Sequence, residues 1–333
     1  MVMLMRTRIS VFWWPALLLA SPVLLPWLFL KTRRFRAGEK KAESVNNKRM
    51  EHAHPLDLPA LKEMEITVVV EHAHEEGFLG DAGVSYFIRT DRGALMMDVG
   101  FGQERPAFPE NARRLGLTME DADALVISHL HPDHMGGMVA VKNRTVVLPE
   151  DFAAADARPC YVPDECSAER LEIRRATGPR ALEAGMATTG PLARMLFFFG
   201  FTEEQALVAR LEGKGLVIVT GCGHPGIEVI LRMVARLSGE PVHAVCGGLH
   251  FPITKSRGAR MGIQPQQIFG TGKPCWQRIT DGDLTRAVEA INRVGPKRLL
   301  LSAHDSCDHA LERLSDEVDA EAEILRAGAT YRF

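Results

Sequence analysis

The chain opens with a run from Ile9 to Leu30 that contains no charged residue. As a helix this run is long enough to cross a hydrocarbon core of about 30 Å. Trp13, Trp14 and Trp27 stand near its two ends, where amphipathic indoles favour the headgroup region, while Pro15, Pro22 and Pro26 predict a kink or a broken last turn. Ala20-Ser21-Pro22 is a poor small-residue cleavage site and the run exceeds a usual signal-peptide core. The pattern therefore predicts an uncleaved single-pass membrane anchor over 1–31. Arg6 and Arg8 precede the run, whereas Lys31, Arg33, Arg34, Arg36, Lys40 and Lys41 follow it; the positive excess on the carboxyl side predicts a cytoplasmic body. Residues 32–61 are polar and charged without apolar periodicity. They read as a charged linker or a tail touching anionic lipid, with the main domain over 62–333.

In the body, Ile66 to Val70, Val84 to Ile88 and Ala94 to Asp98 are short apolar runs separated by turn residues, which predicts an antiparallel β start. A short helix over Asn111 to Leu115 stops at Gly116, and Ala124 to Ile127 reads as a buried strand ending at Ser128. Gly215 to Thr220 predicts a strand, Pro225 opens a helix through Leu237, and Val242 to Cys246 is the next strand. Leu284 to Val294 has helical spacing, with Asp281 or Asp283 as its cap and Gly295-Pro296 as its stop; Arg298 to Leu301 is a strand leading into His304. Glu150 to Gly200 and Phe251 to Gly282 read as irregular insertions, either of which is a candidate lid.

A formal net charge of −2 and the lack of a basic stripe interleaved with aromatics give no support to a nucleic-acid partner. Cys160, Cys166, Cys222, Cys246, Cys275 and Cys307 lack the spacing of a disulfide framework or a zinc knuckle. Reduced thiols are the simpler reading, Cys160–Cys166 being the pair to consider in an oxidising compartment, and none is assigned a catalytic role.

The segment Ser128-His129-Leu130-His131-Pro132-Asp133-His134-Met135-Gly136-Gly137 gathers three imidazoles and a carboxylate at the tip of an apolar strand. Such donors suit zinc, and also iron or manganese, and alternate positions can serve one ion while the next pair turns toward a second. A lone histidine is more often a satisfied structural side chain than a ligand, and His72, His74, His243 and His309 stay in that class. The clustered residues escape it, and His224 is set apart by its place between a strand end and a helix start.

His129-x-His131-x-Asp133-His134 resembles the signature of the metallo-β-lactamase superfamily, and Met97-Asp98-Val99-Gly100 resembles its first motif. Glu204-Gln-Ala-Leu207, Gly215 to Ile227 and Gly247-Gly-Leu-His-Phe251 are similar to the subgroup named for dihydropterin-ribofuranosylaminobenzene-phosphate synthase. The resemblance runs from about Ile66 to the carboxyl end and implies an α/β, αββα four-layer sandwich. It implies that His129, His131 and His224 hold one metal while Asp133, His134 and His304 hold the second. His250 falls where many relatives carry a bridging aspartate, with ligation and support of a ligand as its alternatives. His304-Asp-Ser-Cys307 departs from the subgroup's His-Cys-Thr-Gly, which leaves Asp305 as an alternative donor. Asp98 is expected to orient a ligand rather than bind metal.

The implied cofactor is a pair of divalent ions, with zinc first in line. The implied chemistry is attack by a metal-bound hydroxide on an ester, lactone or phosphoester, with Asp133 orienting the nucleophile and passing its proton to the leaving group. Lys255, Arg257 and Arg260 are candidates for holding an anionic small-molecule substrate, against the blander reading of a basic solubilising loop. Two rival functions stand beside this one. The first is a transferase joining a dihydropterin-methyl diphosphate to a ribofuranosylaminobenzene phosphate, as the subgroup name implies. The second is a non-catalytic membrane sensor or scaffold that keeps metal for stability.

Overall fold

The computed structural model describes residues 9–254, 261–274 and 276–333; Lys255, Arg257 and Arg260 lie outside the described residues. In chain order the helices and the strands of three or more residues begin with α1 (Trp14–Glu51), β1 (Met64–Val70), β2 (Ser85–Thr90), β3 (Gly93–Met97), α2 (Ala107–Leu115), β4 (Ala124–Val126), α3 (Pro132–Met135) and α4 (Met138–Asn143). They continue with β5 (Arg158–Val162), β6 (Leu171–Arg175), β7 (Leu192–Leu196), β8 (Gly200–Glu204), β9 (Leu207–Leu211), β10 (Gly215–Thr220) and α5 (Ile227–Leu237). Last come β11 (Val242–Gly247), α6 (Asp281–Val294), β12 (Arg298–Leu301), α7 (Asp308–Glu317), β13 (Glu321–Ile324) and β14 (Thr330–Arg332).

Side chains alternate across a strand, and that alternation builds the layers. Ile66, Val68, Leu95, Met97 and Val126 from one sheet meet Leu207, Ala209, Val217, Val219 and Leu300 from the other. The intervening Val69, Met96 and Leu125 turn outward to Phe108 and Ala112 of α2. Leu216 and Ile218 turn the opposite way, to Ile230, Val234, Leu284 and Ile291 of α5 and α6. The result is the αββα sandwich, with two sheets back to back and helices on both outer faces. The first sheet runs β14-β1-β2-β3-β4-β5-β6, antiparallel through the β2–β3 pair and parallel from β3 to β6. In the second, β9 and β10 are antiparallel and β10-β11-β12-β13 are parallel.

Two local expectations need correction. Thr280 caps α6, with Asp283 returning a hydrogen bond to its N–H, so neither Asp281 nor Asp283 is the cap itself. The Glu150–Gly200 segment is not irregular: β5, β6 and β7 form within it, because it carries alternating runs such as Tyr161 and Val162 that are buried between layers. Cys160 and Cys166 are both free thiols.

The largest departure is at the amino end. Helix α1 does not stop at the apolar run but continues to Glu51, so 32–51 is helix rather than linker. Its second half buries Phe35, Ala42, Asn46 and Met50, spaced seven, four and four residues apart and thus on one face. Asn46 docks that face on β7, its amide donating to Ala193 O at 2.8 Å and accepting from Ala193 N at 2.7 Å, while Arg49 pairs with Glu203 at 2.5 Å. The first half is bare, with Leu18, Leu19 and Val23 at 71%, 85% and 77% exposure. It is long and apolar enough to cross a membrane. The helix passes through Pro22 and Pro26. Pro22 has no N–H for Leu18 O, and Ser21 Oγ donates to that carbonyl at 2.7 Å instead.

Candidate metal centre

The candidate residues lie beyond the carboxyl ends of strands, where layered α/β sheets leave a crevice. Beyond β4 come His129, His131, Asp133 and His134; beyond β10, Cys222 and His224; beyond β11, His250; beyond β12, His304 and Asp305. Gly136 ends the α3 turn with φ +108°, and a Cβ there would lie 2.4 Å from Val147 O, so only glycine lets the chain fold back under the cluster. Asp98 and His250 hold left-handed backbone, with φ of 59° and 62°; strained non-glycine positions of this kind concentrate at functional sites.

Two groups of donors meet. Nδ1 of His131 lies 3.0 Å from His129 Nε2 and 3.1 Å from His224 Nε2. Asp133, His134, Cys222 and His304 bring one ligand atom each within 4.8 Å of one another, and so do His129, Cys222 and His224. Cys222 belongs to both sets, its Sγ 3.1 Å from His134 Nε2 and 3.2 Å from His304 Nε2. His250 groups with Cys222 and Asp305, yet its Nε2 contacts Gly270 O and its N–H donates to Asp305 Oδ2 at 3.0 Å. Between the two donor sets stands a cysteine, therefore, where the sequence had suggested His250.

Buried carboxylates stand behind the rings. Asp98 accepts from Ser128 N at 2.6 Å, from Ser128 Oγ at 2.6 Å and from His134 Nδ1 at 2.7 Å. Glu71 accepts from Ser302 Oγ and from the N–H of His72 and Ala303, and Ser302 Oγ lies 2.5 Å from His304 Nδ1. Glu204 receives the N–H groups of Gly223 and His224, each at 2.7 Å, and so fixes the loop that carries Cys222 and His224. Sequence reasoning passed over Cys222, Glu71 and Glu204 as individual site residues. The signals that pointed to them were Cys222-x-His224 after a strand and an acidic residue directly after Ile66–Val70, the same arrangement as Asp98 after Ala94–Met97.

Charge makes this cluster fit a cation. Glu71, Asp98, Glu204 and Asp305 are 5% exposed or less, and among the described residues neither they nor Asp133 meet a lysine or arginine; their ionic contacts are to histidines alone. Buried charge is stable when paired or bound to metal. Burial pushes Glu71 and Glu204 up to about 7, the response of carboxylates short of positive charge. Burial also drives His131 and His304 down to about 4 and lowers His129 and His224, leaving neutral rings with lone pairs free to ligate. His134 differs: burial opposes its charge, but Asp98 and Asp133 outweigh burial and raise it to about 9.

Above the cluster opens a cleft of 290 Å³ that also reaches Phe101, Phe199 and Phe269. Its floor is polar and its rim aromatic. Such a space suits a small molecule whose reacting bond faces the donors.

A four-layer αββα sandwich with this histidine and aspartate cluster beyond its strands is a metallo-β-lactamase fold. Residues 79–235 match the sequence profile of the Metallo-beta-lactamase superfamily. It is 25% identical over 241 residues to 7,8-dihydropterin-6-methyl-4-(beta-D-ribofuranosyl)-aminobenzene-5'-phosphate synthase of Methanocaldococcus jannaschii, spanning 61% of this chain and 82% of that protein. It is 26% identical over 160 residues to N-acyl homoserine lactonase of Bacillus cereus, spanning 40% of this chain and 61% of that protein. Among solved structures, Tm1679, a metal-dependent hydrolase of the beta-lactamase superfamily, superposes with a TM-score of 0.57 at 21% identity over 80% of this chain and 98% of its own.

Proposed function

We propose that the chain is a metal-dependent hydrolase of a small-molecule ester, lactone or phosphoester, seated on a membrane by the bare half of α1. The observation that carries this reading is the meeting of two donor sets at Cys222 above buried carboxylates that lack any lysine or arginine partner among the described residues. His129, His131 and His224 would hold one divalent ion, and Asp133, His134 and His304 a second, with Cys222 shared between them. Zinc suits such a mixed nitrogen, oxygen and sulfur set, with iron and manganese as the alternatives. Divalent ions, when bound, lower the pKa of water and polarise a carbonyl or phosphoryl oxygen.

The chain's own groups do the rest. Asp98 and Glu71, the latter through Ser302, fix the rings of His134 and His304, and Glu204 fixes the loop of His224. Asp133 stands at the cleft with an oxygen 3.6 Å from His134 Nε2, where it orients the attacking water and carries its proton to the leaving group. The aromatic rim keeps bulk water from the reacting bond.

The similarity to the dihydropterin synthase supports a second reading, transfer of a pterin-methyl group with loss of diphosphate. Elemental analysis of the purified full-length chain beside an Asp133→Ala, His134→Ala double variant, each assayed on phosphodiesters, lactones and thioesters, separates the readings. About two metal ions per chain, as a binuclear centre requires, with hydrolysis lost in the variant, is the expected result. Metal without turnover on any ester favours the transferase or a silent sensor, and no metal after reconstitution with zinc, iron and manganese sinks all three.

A further inference from the structure

A second cleft, of 210 Å³, shares His224, His250 and Leu196 with the metal cleft and continues to Arg194, Gly226 and Lys273. Its walls hold hydrogen-bond donors without acceptors. Helix α5 starts there at Gly226, which has no side chain to cap it, and among the described residues the N–H groups of Ile227 and Glu228 meet no protein acceptor. His224 is 5% exposed, its Nε2 turns to His131, and its Nδ1 has no partner. A ligating histidine ordinarily gives its second N–H to an acceptor, and here the chain supplies none.

Three cationic side chains line the same space. Lys273 and Arg286 both pair with Asp283, at 2.9 Å and 2.6 Å. The Arg194 side chain makes no hydrogen bond or ion pair among the described residues, and its guanidinium sits 3.7 Å from where a Cβ on Gly226 would be. Burial pulls its pKa down against the attraction of Glu39 and Asp283, and the half-buried guanidinium is left unpaired. A helix start, a free guanidinium and an orphaned imidazole N–H around one space make an anion site. The donors come from β7, from the loop before α5 and from α5 itself, so they approach from different directions. That suits the several oxygens of a phosphate better than a planar carboxylate, and the volume, roughly that of seven waters at about 30 Å³ each, admits one.

We propose that this cleft binds a phosphate group, and that the substrate of the neighbouring metal centre is a phosphorylated small molecule anchored at Arg194 and the α5 amino terminus. The substrate part of this rests on the hydrolase reading; the phosphate site does not.

The test is calorimetric titration of inorganic phosphate into the metal-loaded full-length chain, into the same chain after chelation, and into Arg194→Gln and Glu228→Gln variants of unchanged metal content. Arg194→Gln is expected to weaken phosphate at least tenfold. Glu228→Gln removes a carboxylate from the cleft wall and is expected to tighten it, and chelation is expected to leave binding in place. Phosphate lost on chelation and indifferent to Arg194→Gln is bound at the metals, and overturns the proposal. Acetate binding as tightly as phosphate overturns the phosphate assignment. Should Arg194→Gln not fold, an affinity that fails to rise in Glu228→Gln overturns it equally. A chain that takes up no metal on reconstitution yet binds phosphate through Arg194 removes the hydrolase reading and keeps the cleft; metal with turnover but no Arg194-dependent binding does the reverse.

Discussion

Replacing Cys222 with serine exchanges one atom at the point where both donor sets meet. The thiol is 3% exposed, and its sulfur lies 3.1 Å and 3.2 Å from the Nε2 atoms of His134 and His304. For the fold the change is mild: a serine hydroxyl finds the same two nitrogens as partners, so no polar group is orphaned, and the lost apolar transfer costs about 1 kcal/mol. For a metal the change is severe. Loss of a residue that merely positions a ligand lowers affinity about 10–100-fold, and Cys222 is itself a donor in each of the clusters, so at least that loss is expected. Burial holds the free thiol's pKa well up, and a bound cation is what would draw its proton off. The assay is metal content after graded chelator competition, together with the thiolate-to-metal absorption of the cobalt-substituted protein. The expected result is a variant that melts close to the parent when metal-free, retains less metal and lacks that absorption. Equal metal retention and an unchanged cobalt spectrum would show that Cys222 is a buried structural thiol, and would refute the shared-donor assignment.

Other outcomes follow from the same geometry. Asp98→Asn removes a carboxylate that accepts three short hydrogen bonds; metal affinity should fall about 10–100-fold by chelator competition, with the metal-free melting temperature also lowered. Metal binding should release more protons at pH 6 than at pH 8, as read from the buffer dependence of the binding enthalpy. Glu71 and Glu204, raised to about 7, carry protons below that pH and have shed most of them above it, so a cation must displace them only on the acid side and affinity should drop as pH falls. Gly136→Ala, which sets a Cβ 2.4 Å from Val147 O at φ +108°, should destabilise the chain by more than about 1–2 kcal/mol in chemical denaturation.

Strands β1 to β4 and β10 to β12 were legible because each is an apolar run bounded by turn residues, and the cluster from His129 to His134 because four ligand-type side chains share one loop. Cys222 was not, since a single cysteine after a strand looks like any small buried residue; only the stacking of the sheet that carries β10 and β12 on the sheet that carries β4 sets it between His134 and His304. Glu71 and Glu204 were hidden for the same reason, their partners lying 231 and 20 residues away in sequence. The docked half of α1 escaped because its contact face is carried by few residues among many charges, Phe35, Ala42, Asn46 and Met50. One of these is an asparagine whose bond to Ala193 no hydrophobic pattern can announce.

That helix poses a topological choice the structure bears on. Its amino end is tied to the segment beyond the metal cleft: Ser10 N donates to Gly262 O at 2.9 Å, and Trp13 Nε1 donates to Met261 O at 3.1 Å. With the tie intact the bare half of α1 stays beside the sandwich and cannot carry Ser10 to the opposite face of a bilayer. Two such hydrogen bonds, exposed to water, are worth about 1–3 kcal/mol together. Against them stand roughly ten leucine, valine and phenylalanine side chains between Val11 and Leu30, each contributing about 0.3–0.6 kcal/mol on insertion, or about 3–6 kcal/mol in all. On these figures insertion is expected to outweigh the tie and to open it when the chain meets a membrane. Tags at the two ends of the chain should then be cleaved by protease from opposite faces of sealed vesicles, the carboxyl-terminal one from the cytoplasmic face that the basic stretch after Leu30 marks. Both tags cut from the same face would mean that the tie holds, and that α1 lies along the membrane with the mouth of the cleft facing the headgroups.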